Sequence, residues 1–167
     1  MGLAYEAMMF ARDVHKDQVR KYTGNPYVDH LAEVAGICAA VFDRDLEDMG
    51  VVISTAWLHD CVEDCGIEVD AILQRFGYNV AKGVKLLSDM ETGNRSERKA
   101  ASRERLSNAP PWVQTIKCAD LISNTSSIVK HDPKFAVTYL EEKRLLLDVL
   151  TRADSRLLEL ARKQAAP

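Results

Sequence analysis

The hexapeptide from His59 to Asp64 contains the residue types in this chain that are best suited to chemistry. It follows the apolar segment 51–58 and carries one imidazole and three carboxylates, which are groups that bind metals or transfer protons. Residues four apart share a helix face, so we expect His59 to lie beside Glu63 and Asp60 beside Asp64. Charge at the end of an apolar helix is costly unless it has a partner. The hexapeptide therefore predicts a site for a divalent cation.

Two more polar residues stand where apolar ones would be expected. His30 begins a predicted helix after a basic loop, and Asp120 interrupts the apolar run 116–122 with Asn124 on the same helix face. A carboxylate in such a run is typically paired or ligating, and a bond to a neighbouring helix end is the alternative. His15 is expected to pack or to support the site rather than to bind the metal.

Helical periodicity predicts the elements that must position these residues. The expected helices lie at about 4–15, 31–42, 50–63, 68–76, 78–88, 94–106, 112–122, 133–150 and a short final segment to 161. Asn94 with Glu97 indicates a capping box, and Asp132 before Pro133 indicates a helix start. Residues 88–93 are expected to be mobile, and the acidic stretch 43–48 to be a solvated connection. No segment alternates like a strand, so we predict one all-α domain over residues 1–167.

Composition limits the functional class. With 167 residues, 47% of them hydrophobic, and a net charge of −3, the chain has the properties of a soluble domain without general attraction for nucleic acid or anionic membranes. The four cysteines lie in apolar segments and are expected to pack. Neither a membrane-spanning stretch nor an apolar leader is evident, which predicts a cytoplasmic protein. The sequence leaves the oligomeric state open.

Several separated motifs, in order, resemble those of the HD-domain alarmone hydrolases. This family comprises the hydrolase domains of the long RelA/SpoT proteins and the stand-alone small alarmone hydrolases, including the Mesh1 type. The matching residues span roughly 4–130 and include Arg20-Lys21, Pro26-Tyr27-x-x-His30, Leu58-His59-Asp60-x-x-Glu63-Asp64, Phe76-Gly77 and Lys117-x-Ala119-Asp120-x-x-x-Asn124. The resemblance implies an HD-domain helical bundle of about eight to ten helices.

The resemblance also implies a ligand set and a cofactor. His30, His59, Asp60 and Asp120 would bind one divalent ion per chain, manganese in the family. Two imidazoles and two carboxylates leave coordination positions for water, which suits a hydrolytic site. Ligand chemistry alone does not separate manganese from iron or zinc.

By the same resemblance, Glu63 and Asp64 would be the catalytic pair that orients the attacking water and handles its proton. Support of the metal ligands is the alternative role for these two carboxylates. The implied reaction removes the 3′-pyrophosphate from guanosine 3′,5′-bis(diphosphate), known as ppGpp, or from pppGpp. We expect a stand-alone hydrolase without synthetase activity. Two alternatives are a phosphatase acting on another nucleotide such as NADPH, and a nucleotide-sensing module without catalysis.

An anionic substrate requires local cations in a net-acidic protein. The resemblance assigns Arg20 and Lys21 to a basic substrate loop and Asn124 to the nucleoside, while Arg95 and Lys143 are further candidates for phosphate contacts. For Arg95 and Lys143, a solvated helix face is the alternative. The chain departs from the family pattern at 22–25, at Leu31 and at 87–89, and the loops at 22–25 and 88–95 would shape the nucleotide pocket.

Overall fold

The computed structural model describes residues 2–42 and 48–166. These ranges form ten helices and no β-strand, so the all-helical prediction with eight to ten helices is confirmed for the described residues. The helices are α1 (Leu3–Val14), α2 (Val28–Val41), α3 (Met49–Leu58), α4 (Cys61–Cys65), α5 (Val69–Phe76), α6 (Tyr78–Leu87), α7 (Arg95–Ser107), α8 (Pro111–His131), α9 (Pro133–Leu147) and α10 (Ser155–Gln164). The predicted connection at 43–48 lies, except for its last residue, outside the described ranges.

The chain divides into two compact units, residues 1–88 and 89–167. In the first unit, α3 packs against α1, α2 and α6. Leu31, Leu58, Ile72 and Val80 are fully buried in its core. Burial of a leucine side chain contributes about 2 kcal/mol to folding, so this core holds the ends of α2 and α3 firmly. Those ends carry His30 and His59.

The single helix predicted over 50–63 is wrong, because two helices meet there at a turn. α3 ends at Leu58, His59 and Asp60 form the turn, and α4 begins at Cys61. The His59 Nδ1 atom lies 2.8 Å from the carbonyl oxygen of Ala56. In a continuous helix that carbonyl would accept the backbone N–H of residue 60. The imidazole thus contacts the carbonyl that a continuous helix would use, and periodicity contains no sign of this contact.

The basic loop between α1 and α2 is a closed hairpin-like segment, which we call the 18–27 loop. An isolated antiparallel bridge joins Val19 to Pro26, and the Tyr27 amide donates to the Gln18 carbonyl oxygen at 2.9 Å. Gly24 has a φ of +72°, a left-handed conformation that glycine adopts without strain. The loop therefore has a defined shape, closed by backbone contacts at its base.

In the second unit, α8 is central and packs against α7, α9 and α10. The capping box of Asn94 and Glu97 at the start of α7 is confirmed, as is the cap that Asp132 provides for α9. Residues 88–93 were expected to form a mobile loop, yet Asp89 accepts hydrogen bonds from Lys99, Ser102 and Arg105. None of the helices in the described ranges is both long and apolar enough to span a membrane.

Candidate metal centre

Three metal-capable side chains converge in the first unit. One ligand atom each from His30, His59 and Asp60 lies within 4.8 Å of the other two. The Oδ2 atom of Asp60 is 3.0 Å from His59 Nε2 and 3.5 Å from His30 Nε2. Both imidazoles are buried, and the rings are 5.3 Å apart in an edge-on arrangement. Two nitrogens and one carboxylate oxygen in this arrangement form a donor set that suits a divalent transition metal.

The hydrogen bond at Ala56 determines the tautomer of His59. A carbonyl oxygen can only accept, so Nδ1 carries a proton, and in the neutral imidazole Nε2 presents its lone pair toward Asp60. Two acceptors 3.0 Å apart repel each other unless a proton or a metal cation lies between them. Metal-binding histidines commonly donate their second ring N–H to a backbone carbonyl in this manner. The residues present therefore fit a divalent cation.

Tyr27 orients the carboxylate of Asp60. Its hydroxyl donates to Asp60 Oδ2 at 2.7 Å, across 33 positions of the sequence. The Tyr27 ring is stacked on the ring of His15, with centroids 5.1 Å apart and planes inclined by 18°. His15 is buried beside the site, which agrees with its expected supporting or packing position.

The surroundings of this cluster are electrostatically negative. Burial is the largest cause that raises the pKa of the Cys61 thiol, and the charges of Cys65, Asp60 and Asp64 raise it further. The pKa of Cys65 is also raised, by burial and then by the charges of Asp64 and Asp60. Burial is the larger cause of both pKa shifts, and the carboxylates of Asp60 and Asp64 add negative charge that favours a cation nearby.

The proposed catalytic pair lies on α4, immediately after the metal-capable turn. Glu63 and Asp64 are exposed on this five-residue helix, whereas Cys61 and Val62 are buried. Gly66 ends the helix with a φ of +65°, a left-handed C-cap. The Asp64 Oδ2 atom accepts a hydrogen bond of 2.9 Å from Gln18 Nε2. The short helix thus presents both carboxylates to solvent while its opposite face packs into the core.

Asp120 lies in α8 of the second unit, where the residue is 6% exposed. Its Oδ2 atom accepts from Lys117 Nζ at 2.8 Å, and its Oδ1 atom accepts from Asn124 Nδ2 at 2.7 Å. The expectation that Asp120 and Asn124 share a helix face is therefore confirmed. The role of Asp120 as a metal ligand and that of Asn124 as a nucleoside contact stay predictions.

The predicted substrate cations occupy different environments. Arg20 and Lys21 are in the 18–27 loop, where Lys21 Nζ lies 5.0 Å from the centre of the Tyr22 ring. Arg95 begins α7 and forms two hydrogen bonds with Glu142, of 2.6 and 2.8 Å. The Arg95 guanidinium also lies over the Phe135 ring. Arg95 is thus part of an ion pair within the second unit.

Lys143 is 1% exposed in α9, which differs from the solvated helix face that was its alternative. Its Nζ donates to Thr125 Oγ1 at 2.7 Å and to Gln164 Oε1 at 2.9 Å. Burial lowers the pKa of this ammonium to about 8, while the charges of Cys118 and Asp120 act in the opposite direction. A phosphate contact by Lys143 stays a prediction.

Sequence reasoning assigned no role to Tyr27 or Gln18. Tyr27 is part of the quoted Pro26-Tyr27-x-x-His30 motif, so its spacing to His30 was the available signal. For Gln18, the signal was its position three residues after His15, whose Nδ1 lies 2.6 Å from Gln18 Oε1. These two spacings do not reveal that Tyr27 contacts Asp60 or that Gln18 contacts Asp64.

Comparison with known proteins assigns this architecture to a class. A family model described as an HD domain matches residues 7–131, which is most of the chain. The chain is 32% identical over 130 residues to the human guanosine-3′,5′-bis(diphosphate) 3′-pyrophosphohydrolase MESH1, a match that covers 77% of this chain and 71% of the human protein. The chain therefore belongs to the HD-domain family, in the group of MESH1-like and SpoT-like ppGpp hydrolases.

Other relatives are consistent with this assignment. A probable guanosine-3′,5′-bis(diphosphate) 3′-pyrophosphohydrolase from Synechocystis is 33% identical over 138 residues, covering 79% of this chain and 17% of that longer protein. Among solved structures, a metazoan ortholog of SpoT that hydrolyzes ppGpp superposes with a TM-score of 0.85 at 24% identity, over 98% of this chain and 94% of that one. This structural likeness supports the fold.

Proposed function

We propose that the protein is a metal-dependent hydrolase that removes the 3′-pyrophosphate from guanosine 3′,5′-bis(diphosphate). One observation supports this proposal. Three metal-capable side chains, those of His30, His59 and Asp60, converge on a common point, and two exposed carboxylates follow them on α4. The activity for which these relatives are named supplies the substrate, since about a third of the aligned positions are identical in this chain.

The proposed metal is one manganese ion per chain. His30 and His59 supply Nε2 atoms, Asp60 supplies Oδ2, and Asp120 is the fourth ligand by family resemblance. When bound, a divalent ion of this kind polarises the phosphoryl group and lowers the pKa of a water molecule. Tyr27 limits the rotation of the Asp60 carboxylate, and the Ala56 carbonyl keeps the His59 proton on Nδ1.

Glu63 and Asp64 act on the attacking water. Both are exposed, so substrate and water can reach them. A carboxylate positioned within hydrogen-bond reach of a water accepts its proton as the oxygen attacks phosphorus, and this contributes about 100- to 10,000-fold to the rate. The bond from phosphorus to the nucleoside 3′-oxygen breaks, this oxygen takes up a proton to become the 3′-hydroxyl, and pyrophosphate is released.

The substrate carries several negative charges that need cations near the 3′-pyrophosphate. Arg20 and Lys21 are proposed for this role because the 18–27 loop that carries them meets the carboxylate-bearing segment at Tyr27 and Gln18. Asn124 is proposed to contact the nucleoside. For Arg95 and Lys143 a phosphate contact would compete with Glu142 and with Gln164, respectively.

The direct experiment incubates the purified protein with ppGpp and manganese and measures pyrophosphate release. We expect turnover with wild type, none above background with Asp60→Ala, and a loss of at least 100-fold with the Glu63→Ala/Asp64→Ala double variant. The double variant is expected to bind manganese like wild type, because neither residue is a proposed ligand. Lys134→Met, an exposed substitution on α9, is the surface control.

Failure of wild type to release pyrophosphate with manganese, iron or zinc would exclude the proposed activity. A substrate panel containing pppGpp and NADPH then separates the alternatives. Release of phosphate from NADPH alone would favour the phosphatase, and tight nucleotide binding without turnover would favour a sensing module.

A further inference from the structure

The 18–27 loop meets the carboxylate-bearing segment through both of its ends. At one end, Gln18 Nε2 donates to Asp64 Oδ2 at 2.9 Å. At the other end, the Tyr27 hydroxyl donates to Asp60 Oδ2 at 2.7 Å. The Tyr27 amide donates to the Gln18 carbonyl, so a backbone bond joins the two donor residues. The loop thus contacts a proposed metal ligand and a proposed catalytic carboxylate at once.

His15 determines which way the Gln18 carboxamide points. Its Nδ1 is 2.6 Å from Gln18 Oε1, and because a carboxamide oxygen only accepts, Nδ1 must donate. The Gln18 NH₂ group is then directed to Asp64. The His15 ring is 1% exposed and stacked on Tyr27, so its own position is defined by packing. A buried imidazole thereby orients an amide that lies nearer the surface.

We propose that Gln18 is a positioning residue for the Asp64 carboxylate and that the 18–27 loop thereby couples the substrate cations to the catalytic pair. The kinetic part of this inference rests on the proposed function. Asp64 lies on an exposed five-residue helix, where an aspartate side chain has several rotamers available. The bond to Gln18 selects one of them and leaves Oδ1 available to the attacking water. Misplacement of a reacting group by about 1 Å costs up to about 100-fold in rate.

Gln18→Ala is expected to lower kcat for ppGpp by about 10- to 100-fold. KM and manganese affinity are expected to stay within about twofold of wild type, because Gln18 is not proposed to touch the substrate or the metal. Loss of folded protein also lowers the apparent kcat at constant KM, so kcat is divided by the fraction of protein that binds manganese. A residue with only a structural role would then show a wild-type kcat per manganese-binding molecule. Gln74→Ala, at an exposed glutamine on α5 of the same unit, is the matched control and is expected to leave kcat unchanged.

A double-mutant cycle with Asp64→Ala tests whether Gln18 acts through Asp64. In the Asp64→Ala background, Gln18→Ala is expected to cost less than about twofold further in kcat, because the carboxylate it orients is gone. Multiplicative losses in the double variant would overturn the inference, as would a Gln18→Ala enzyme with kcat within twofold of wild type.

The same cycle in urea unfolding needs no turnover. Each single variant is expected to raise the unfolding equilibrium constant by about 2- to 5-fold, and the double variant by no more than the larger single effect. If wild type fails to hydrolyse ppGpp, the proposed function is refuted, while this cycle still decides whether Gln18 and Asp64 are coupled. If the effects of Gln18→Ala and Asp64→Ala on the free energy of unfolding were additive, the contact with Gln18 would not position Asp64.

Discussion

Replacing Lys143 with methionine is expected to remove a pH-dependent cost of folding. The ammonium is buried in α9, and burial lowers its pKa from 10.5 to about 8. One pKa unit corresponds to about 1.4 kcal/mol, so the charged form costs about 3 kcal/mol relative to the unfolded chain. Removal of the ammonium also leaves the acceptors on Thr125 and Gln164 without this donor, at about 1–3 kcal/mol each. These opposing effects nearly cancel near pH 7, so the pH dependence is the informative quantity.

The sign of that dependence follows from proton linkage. Because the folded pKa of Lys143 lies below its unfolded value, the folded state binds fewer protons than the unfolded state between about pH 8 and 10.5. The cost is fully present below pH 8 and is relieved as the pH rises. Wild type should therefore gain about 1 kcal/mol relative to Lys143→Met between pH 7 and pH 9. The buried cysteines oppose this trend in both proteins, so their contribution cancels in the difference.

Urea unfolding of chelator-treated wild type and Lys143→Met at pH 7, 8 and 9 measures this difference. Lys134→Met, on the exposed side of the same helix, is the control and is expected to run parallel to wild type. The assignment of a charged, buried ammonium would be refuted if the free energies of unfolding of wild type and Lys143→Met changed in parallel with pH. It would also be refuted if wild type lost stability relative to the variant as the pH rises.

Three further outcomes are expected. Tyr27→Phe removes the donor to Asp60 and should weaken manganese binding about 10- to 100-fold, as measured by calorimetry; unchanged affinity would show that this hydroxyl does not orient the ligand. Chelation of wild type should abolish turnover and lower the melting temperature, and added manganese should restore both. Asn94→Ala removes the N-cap of α7 and should cost about 1 kcal/mol in urea unfolding, whereas an exposed substitution in the middle of that helix should cost less than half as much.

Local spacing predicted those parts of the molecule that depend on neighbouring residues. Most of the helices, the cap at Asn94 and the shared face of Asp120 and Asn124 follow from periods of three and four residues. The helix expected over 112–122 extends to His131, nine residues further than predicted. The turn at 59–60 was missed because the apolar residues on either side of it keep a helical pattern, and the contact between His59 Nδ1 and the Ala56 carbonyl leaves no trace in that pattern. Hydrophobic periodicity therefore does not locate a helix boundary of this kind.

Contacts between distant parts of the chain were beyond this reasoning. Tyr27 and Asp60 are 33 positions apart, Gln18 and Asp64 are 46 apart, and Arg95 and Glu142 are 47 apart. A resemblance to a family names residues that act together without stating which atoms meet. The buried position of Lys143 was missed for a related reason, since its partners lie on two other helices.

The 18–27 loop is closed at its base, so the residues at its tip, 21–24, can differ while the base keeps its contacts. The bridge between Val19 and Pro26 and the backbone bond between Tyr27 and Gln18 lie below the tip, and these two donor residues reach the carboxylates from the base. Lengthening, shortening or grafting residues 21–24 is therefore expected to leave the contacts of Gln18 and Tyr27 with the carboxylates in place. Under the proposed function, a change of nucleotide preference is therefore expected to need substitutions only in this short segment, while the residues that carry the hydrolytic chemistry stay the same.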